Sequence, residues 1–441
     1  MKLSKFSFFI PISSKYYIIY NALNKSLMLV DEELKKSLEN SNFSRIPDNV
    51  LKKLIQNRII IDDELDELAV YEYIFNKNKY RMGYANFLVL TTYDCNFACV
   101  YCYQGVDKPH TYMDLDTAKG VVNYIENFSK DRFAKVIQVG LYGGEPLLNL
   151  KACNTILSGV FKMCEQEDIK FSAFLITNGS LMTPKVISRL KDYGLNRIQV
   201  TVDGTRDVHN RRRPFKGGKG SFDIIMSNVM KCVDLVPIIL RINVDKDNLS
   251  NIPEFLDFLI EAGLRNRVEL WIGFVRGLGH YCEAVQLTDE SICKMRYELW
   301  KLAIKKGFKF LWHPVTLALC TAMRESSVII DPKGILYKCW GLLGDEKFSI
   351  GSIYESKFKP IYYKYMTRNP LRNKKCRECY ALPYCNGGCL YEAYIRTGNM
   401  FTMYCGSVQS KSGLEYMLKL YALTKYENIL KTKGISINDI I

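Results

Sequence analysis

At 441 residues the chain is too long for a single ordinary core, so two or three domains are expected. Its 48% apolar and 12% aromatic content suffices for globular cores, and no low-complexity tract or internal repeat is evident. The net charge of +15, from 61 basic and 46 acidic residues, is spread along the chain; it favours an acidic partner without marking a nucleic-acid groove.

Residues 1 to about 82 differ in pattern from the rest of the chain. The apolar run Phe6-Ser7-Phe8-Phe9-Ile10 is short, ends at Pro11 and is followed by no small-residue cleavage site, so it reads as a strand and not as a signal peptide. No run approaches the roughly 18 to 20 apolar residues that crossing a membrane takes. Phe6 to Ile10, Tyr16 to Tyr20 and Ser26 to Val30 are strand-like, with a turn at Asn21-Ala22-Leu23-Asn24-Lys25 between the last two. Asp31 can cap a helix with Glu32 and Glu33 in its first turn. Pro47 can start a second helix, with Val50, Leu51, Leu54 and Ile55 on one face. Asp62-Asp63-Glu64, after the small strand Ile59-Ile60-Ile61, opens a third. This β-β-β-α-α-β-α pattern is similar to the winged-helix recognition elements that bind leader peptides in ribosomal peptide modification. Such a fold offers a strand edge to an incoming peptide. A lid or structural cap on the next domain is the alternative.

From about 84 to 275 strands alternate with helices, which implies right-handed βαβ units and a parallel sheet. The expected strands are Phe87–Thr92, Val136–Tyr142, Phe171–Thr177, Arg197–Val202, Ile238–Val244 and Val268–Gly273; helices begin near Asp116, Leu150, Pro184, Ser221 and Ile252. Just past the carboxyl end of the first strand, where α/β sheets place their ligands, Cys95, Cys99 and Cys102 form a C-x3-C-x2-C motif. Fifteen cysteines without an export signal argue for metal ligation in a reducing cytoplasm, not for disulfides. Three thiolates do not complete a structural zinc site. They can hold three irons of a [4Fe–4S] cluster and leave the fourth open to a small molecule.

This motif, placed after the first strand of an α/β domain, resembles that of the radical S-adenosylmethionine (radical SAM) enzymes. The resemblance implies a partial (β/α)6 barrel, open on one side to a peptide, with a cluster on Cys95, Cys99 and Cys102. S-adenosylmethionine would chelate the open iron through its amine and carboxylate, and its reductive cleavage would yield a 5′-deoxyadenosyl radical that abstracts hydrogen. Tyr101 is the aromatic before the third cysteine. Gly143-Gly144-Glu145-Pro146, after the second strand, is similar to the family's GGEP motif, which takes the methionine amine; glycines let a backbone come close, and Glu145 can accept from an ammonium. Asn178 and Thr201-Val202-Asp203 end the third and fourth strands at the same face. By resemblance Thr201 lies where a hydroxyl meets the ribose and Asp203 lies near the substrate; plain turn chemistry is the alternative for Asn178-Gly179 and for Thr201 to Gly204, and it accounts equally well for Asn178 and Thr201. Arg241 and Asn243 lie in the apolar fifth strand, so Arg241 needs a partner, either the cofactor carboxylate or a structural acid. Arg211, Arg212 and Arg213, after His209, either clamp an anion or anchor their loop.

The cysteines return after a helical stretch from Ser291 to Lys306. Cys320, Gly334 and Cys339 give C-x13-G-x4-C, and Cys376, Cys379, Cys385, Cys389 and Cys405 give C-x2-C-x5-C-x3-C-x15-C. A zinc ribbon would show two C-x2-C pairs. The array closely resembles the SPASM extension of peptide-modifying radical SAM enzymes. By that resemblance Cys376, Cys379, Cys385 and Cys405 close one auxiliary cluster, and Cys320, Cys339 and Cys389 hold another whose fourth position is open, capped by a substrate thiolate, or filled by the remote Cys282 or Cys293. Cys153, Cys164 and Cys232 read as small buried residues. Trp340 stands where sulfatase-maturing members carry an acid, and Cys339 to Asp345 looks more like maturases that install thioether crosslinks.

The expectation is thus an α/β protein: a winged-helix-like leader-peptide element (1–82), a radical SAM partial barrel (83–285), a bridging region (286–319) and a SPASM domain (320–441). Its cofactors would be three [4Fe–4S] clusters and S-adenosylmethionine. Its partners would be a precursor peptide and an external reductant such as flavodoxin or ferredoxin, with neither nucleic acid nor membrane, in the cytoplasm. No catalytic side chain is singled out. A carbon–carbon crosslinking maturase, a sulfatase-type protein oxidase and an iron–sulfur carrier are the alternatives, the last disfavoured by GGEP.

Overall fold

Strands of alternating apolar residues build the first unit of the computed structural model, which describes residues 1–105, 109–277, 289–406 and 410–432. The strands are Lys2–Leu3 (β1), Ser7–Pro11 (β2), Tyr16–Asn21 (β3), Leu27–Asp31 (β4) and Ile60–Ile61 (β5). β2, β3 and β4 form an antiparallel sheet in that order, and β1 pairs with β5. Successive side chains of a strand point to opposite faces. Ile19 and Val30 therefore join Leu38, Leu54 and Ile60 in a small core under helices Glu32–Glu39 (α1) and Asp48–Gln56 (α2), while Phe8, Ile18 and Tyr20 face the body of the protein. Asp31 caps α1, accepting from the Leu34 amide at 2.8 Å. The third helix, Glu67–Lys79 (α3), starts later than Asp62–Glu64, because Asp62 closes a turn by accepting from the Glu64 amide at 3.0 Å. Asp66 is the cap, accepting from Leu68 and Ala69 at 2.9 and 3.1 Å. β1 lies outside the expected pattern, since two residues carry no periodicity and only pairing defines them.

Six parallel strands follow in chain order: Tyr84–Leu90 (β6), Val136–Tyr142 (β7), Lys170–Thr177 (β8), Leu195–Thr201 (β9), Ile238–Val244 (β10) and Val268–Phe274 (β11). Between them run Leu115–Lys130 (α4), Leu150–Gln166 (α5), Pro184–Lys191 (α6), Arg206–Arg212 (α7), Phe222–Cys232 (α8) and Ile252–Glu261 (α9). Caps explain the starts: Asp114 accepts from Thr117 at 2.6 Å, and Pro184 takes the first position of α6, whose capping Thr183 accepts from Val186 at 3.4 Å. Only α7 was not among the expected helices. This order of strands and crossovers is that of a partial (β/α)6 barrel.

The sheet continues beyond β6. Ser327–Ile330 (β12) lies parallel to β6, with Val328 opposite Phe87, and Ile335–Tyr337 (β13) and Gly351–Ser352 (β14) add antiparallel strands. The result is one nine-stranded, mostly parallel sheet, with every residue of β12 buried. The segment carrying the second cysteine array is thus hydrogen-bonded to the strand that carries the first.

The N-terminal unit packs on that same segment. Phe8 stacks on Tyr380 with ring centroids 4.3 Å apart, Tyr71 Oη donates to Asn386 Oδ1 at 3.3 Å, and Lys79 Nζ donates to the Arg368 carbonyl at 2.8 Å. Among the described residues no helix is long and apolar enough to cross a membrane.

Candidate active site

The cysteine loop leaves β6 and is fastened on two sides. On one side the β7 loop folds against it: the Gly144 amide donates to the Thr92 carbonyl at 3.0 Å and the Glu145 amide to the Asp94 carbonyl at 2.8 Å. The approach requires glycines. Gly143 has φ +150, and a Cβ there would lie 2.4 Å from Thr92 O; on Gly144 it would lie 2.1 Å from Asp94 O. On the other side the loop after α7 pairs with it, the Ala98 amide donating to Pro214 O at 2.9 Å and the Val100 amide to Arg212 O at 3.0 Å, with Phe97 and Phe215 edge to face at 4.8 Å.

Asp94 is the clasp between these parts. It accepts from the Cys95 amide and Lys216 Nζ, both at 2.7 Å, and from Tyr112 Oη and His110 Nδ1, both at 2.9 Å. Burial pushes its carboxyl up, but hydrogen bonds from Lys216, Tyr112 and His110 prevail and hold it well below the usual carboxylate range. Neither Asp94 nor Lys216 stands out in the sequence, because nothing local marks residues 122 positions apart as partners.

Cys95, Cys99 and Cys102 together line a cavity of ≈ 330 Å³ at the carboxyl ends of the strands, in the size range of small-molecule sites. Cys95 Sγ accepts from the Phe97 amide at 3.4 Å and lies 3.8 Å from Asn178 Nδ2. The buried Arg213 guanidinium remains charged: burial pulls its pKa down, but Cys99, Tyr101 and Asp203 raise it well above the ordinary value.

The other expected cofactor contacts divide into two sets. Tyr101, Gly143, Gly144, Asn178, Thr201 and Arg241 line the cavity. Glu145, Pro146 and Asp203 lie behind it. The Glu145 carboxylate, fully buried, accepts from the Asn178 amide and Thr177 Oγ1 at 2.7 Å and from the Leu147 amide at 3.1 Å. It ties β7 to β8. Asp203, likewise buried, accepts from Tyr101 Oη and the Asn243 amide, the latter at 2.9 Å, so it holds the wall. Arg212 pairs with Asp245 through two bonds of 2.7 and 2.8 Å and is 2% exposed, and Arg213 donates to Tyr101 Oη at 2.7 Å. Both anchor the loop, and Arg213 also lines the cavity. Arg241, at the cavity wall, donates through Nε to Asn243 Oδ1 at 2.7 Å, and its Nη2 lies where a side chain at Gly273 would stand.

The second array reaches the same cavity. Trp340 and Gly341, directly after Cys339, line it with Tyr391, and Trp340 Nε1 donates to Thr321 Oγ1 at 3.3 Å, beside Cys320. Its seven cysteines fall into two groups whose charges act on one another. Burial first, and then Cys389, raise the pKa values of both Cys320 and Cys339. Burial and then Cys405 push Cys376 up to about 11 and, with a smaller part from neighbouring cysteines, Cys385 up to about 12. No described cysteine is in a disulfide. Among the described residues no group of three or more His, Cys, Asp or Glu suits a metal ion. Iron–sulfur clusters fit such spacing better, since each iron takes one thiolate and the sulfurs stand around a larger body. The buried Arg213 cation near Cys99 and the sulfur-directed N–H groups suit an anionic cluster on the first triad.

Cys153, Cys164 and Cys232 are buried in the barrel. Cys293 lies 3.6 Å from Ser410 Oγ and acts on Tyr384 and Arg296; Cys282 lies outside the described residues. Sequence reasoning missed the aromatic wall opposite the cysteines. Tyr103 and Tyr142 hydroxyls meet at 2.7 Å and the Tyr142 ring lies 5.5 Å from Trp340. Tyr103, next to Cys102, was the available signal.

A parallel α/β sheet with three cysteines and a glycine turn at its carboxyl mouth defines a cofactor-dependent barrel enzyme. Residues 89–259 match the model of the Radical SAM superfamily. The chain is 22% identical to the radical SAM cyclopropyl synthase TigE of Paramaledivibacter caminithermalis, over 89% of this chain and 86% of that one. It is also 22% identical to the mycofactocin maturase MftC of Mycobacterium tuberculosis, over 68% and 76%. Native anSMEcpe with bound AdoMet shares its fold with a TM-score of 0.60 at 15% identity, covering 78% of this chain and 99% of the other. Streptococcus suis SuiB bound to S-adenosylmethionine does so with a TM-score of 0.55 at 15% identity, covering 91% and 98%.

Proposed function

We propose that the chain is a radical SAM maturase that modifies a ribosomally made precursor peptide, closing thioether bonds between peptide cysteines and a carbon of another residue. The observation that carries this reading is the shared cavity: Cys95, Cys99 and Cys102 on one wall, and on another Trp340 and Gly341, which come directly after Cys339 of the second array. A carrier of electrons alone has no use for a glycine-lined pocket between two such arrays. Support comes from SuiB, which has also been crystallised with its precursor peptide SuiA, and from anSMEcpe, crystallised with the Cp18Cys peptide. The SuiB match extends over 91% of this chain, against 79% for that anSMEcpe complex.

When bound, the cluster and S-adenosylmethionine supply a 5′-deoxyadenosyl radical. Cys95, Cys99 and Cys102 would ligate the cluster, and the Gly143-Gly144 backbone and Arg241 would take the amine and carboxylate of the cofactor. Thr201 and Asn178 would meet its sugar face. Tyr101, fixed by Asp203, Arg213 and Asn243, keeps that wall rigid. Tyr142 and Trp340 shield the reacting centre from water. Cys320, Cys339 and Cys389 would hold a cluster with a position open to a precursor thiolate, and Cys376, Cys379, Cys385 and Cys405 would hold a closed cluster toward an external reductant. The N-terminal unit, residues 1–82, would take the leader peptide on a free edge of its three-stranded sheet. Residues 83–285 are then the barrel, 286–319 a bridge and 320–441 the SPASM domain, in a cytoplasmic enzyme with three [4Fe–4S] clusters.

The test is coexpression with a cysteine-rich precursor and mass spectrometry. Thioether formation removes two hydrogens per crosslink and leaves that thiol resistant to alkylation; an alkylatable thiol in the modified product overturns it. The match to a cyclopropyl synthase over 89% of the chain favours carbon–carbon bond formation as a second reading. It also removes hydrogen but leaves every thiol reactive. Reconstituted protein that forms no 5′-deoxyadenosine overturns both.

A further inference from the structure

Arg368 ends the helix Pro360–Thr367 and is 5% exposed. Its guanidinium is wedged among the loops of the second array. Nη1 donates to Asn386 O at 3.3 Å and lies 3.7 Å from Met323 Sδ; Nη2 donates to Gly387 O at 2.7 Å and to Thr402 O at 3.5 Å. Asn386 and Gly387 stand between Cys385 and Cys389, Met323 follows Cys320, and Thr402 precedes Cys405. A single cation therefore touches segments that belong to both cysteine groups.

That cation lacks a carboxylate. Among the described residues none pairs with it, and its buried Nε has no hydrogen-bond partner. Carbonyl contacts offset only part of the cost of burying a full charge, so an anion is required nearby. The charges of Cys320 and Cys385, then of Cys376 and Cys389, oppose the effect of burial on Arg368. A second buried cation near the array, Lys338, donates to the carbonyls of Arg324 and Ser327, and of these cysteines Cys320 is the one that acts on it. Arg368 is also held in place from the N-terminal unit, by the bond from the buried Lys79 to its carbonyl.

We infer that Arg368 is the shared counter-cation of two iron–sulfur clusters and sets both of their reduction potentials. This rests on the reading of the seven cysteines as ligands of two clusters. Thiolate-ligated clusters are net anionic and become more so on reduction, and their potentials follow net charge and the hydrogen bonds to sulfur. A fixed cation between them raises both potentials together and eases passage of an electron from one to the other. Arg368 touches no substrate; it is a positioning residue for charge.

The test uses the full chain with Cys95, Cys99 and Cys102 replaced by alanine, so that spectroscopic signals come from the second array only. The parent, Arg368→Lys and Arg368→Gln are reconstituted anaerobically, and iron is counted before an EPR-monitored redox titration. The expected result is retained iron in all three, potentials shifted negative in Arg368→Gln, and a smaller shift in Arg368→Lys. Loss of iron in Arg368→Gln with retention in Arg368→Lys supports the same role for the charge. Retained iron with unchanged potentials in Arg368→Gln overturns it, and so does loss of iron in both variants, which would make the role one of packing. A parent that binds no iron defeats instead the assignment of the seven cysteines.

Discussion

Arg213 Nη1 donates to the hydroxyl of Tyr101 at 2.7 Å. That oxygen also donates to Asp203 and accepts from Asn243 Nδ2 at 3.1 Å, so one atom joins the cysteine loop, the loop after α7, the end of β9 and β10. Tyr101→Phe removes the atom and leaves buried donors and an acceptor facing a ring edge. The expected loss is about 1–3 kcal/mol, the cost of unsatisfied buried polar groups. Denaturant unfolding of the cluster-free protein measures it, and an unchanged midpoint would dismiss Tyr101 as the fastener.

Asp94 gives the fold a pH dependence of known sign. Its folded-state pKa is depressed below the unfolded value of about 3.9. The stability it contributes is therefore complete above that value and is lost as the pH falls below about 4 toward the folded value. Thermal midpoints of the wild type should drop more steeply than those of Asp94→Asn over that window. Parallel curves for the two proteins would count against the clasp.

Gly144→Ala should damage the site more than a surface substitution can. The added Cβ would meet the Asp94 carbonyl at 2.1 Å, and that oxygen belongs to the backbone. One loop must move, so the cysteine triad loses its geometry. The expected outcome is a folded protein with greatly reduced iron at the first triad, measured in a background lacking the second array. Full iron loading would show that the loops can part without consequence.

Arg241→Gln should weaken S-adenosylmethionine binding about tenfold or more, the equivalent of one charge-assisted hydrogen bond of roughly 1.5–3 kcal/mol. Equilibrium binding to the reconstituted enzyme decides it. Unchanged cofactor affinity with weakened peptide binding would move Arg241 to the substrate side.

The parallel strands were legible because each is a short apolar run bounded by turn residues, and all six lie within three residues of their expected positions. The cysteine arrays were legible because spacing is a local property. What escaped notice depends on distant partners. β12 is four residues long and becomes a strand by pairing with β6. Glu145 reads as a ligand group from its motif, but the motif does not show the two donors at the end of β8 that also hold its carboxylate. The start of α3 went to Asp66 because two neighbouring aspartates compete for capping, and their choice depends on the turn at Asp62.

The pairing of β12 with β6 also bears on how the protein is made. Val89 must wait for Ile330, which leaves the ribosome roughly 240 residues later. At about 5–20 residues per second that interval exceeds roughly ten seconds. Throughout it the outer edge of β6 is an unpaired apolar template beside an emerging cysteine triad, a place where strands of other chains can add. Chaperone protection of that edge therefore has to last until β12 has emerged, and nascent forms truncated before residue 327 should be the aggregating species.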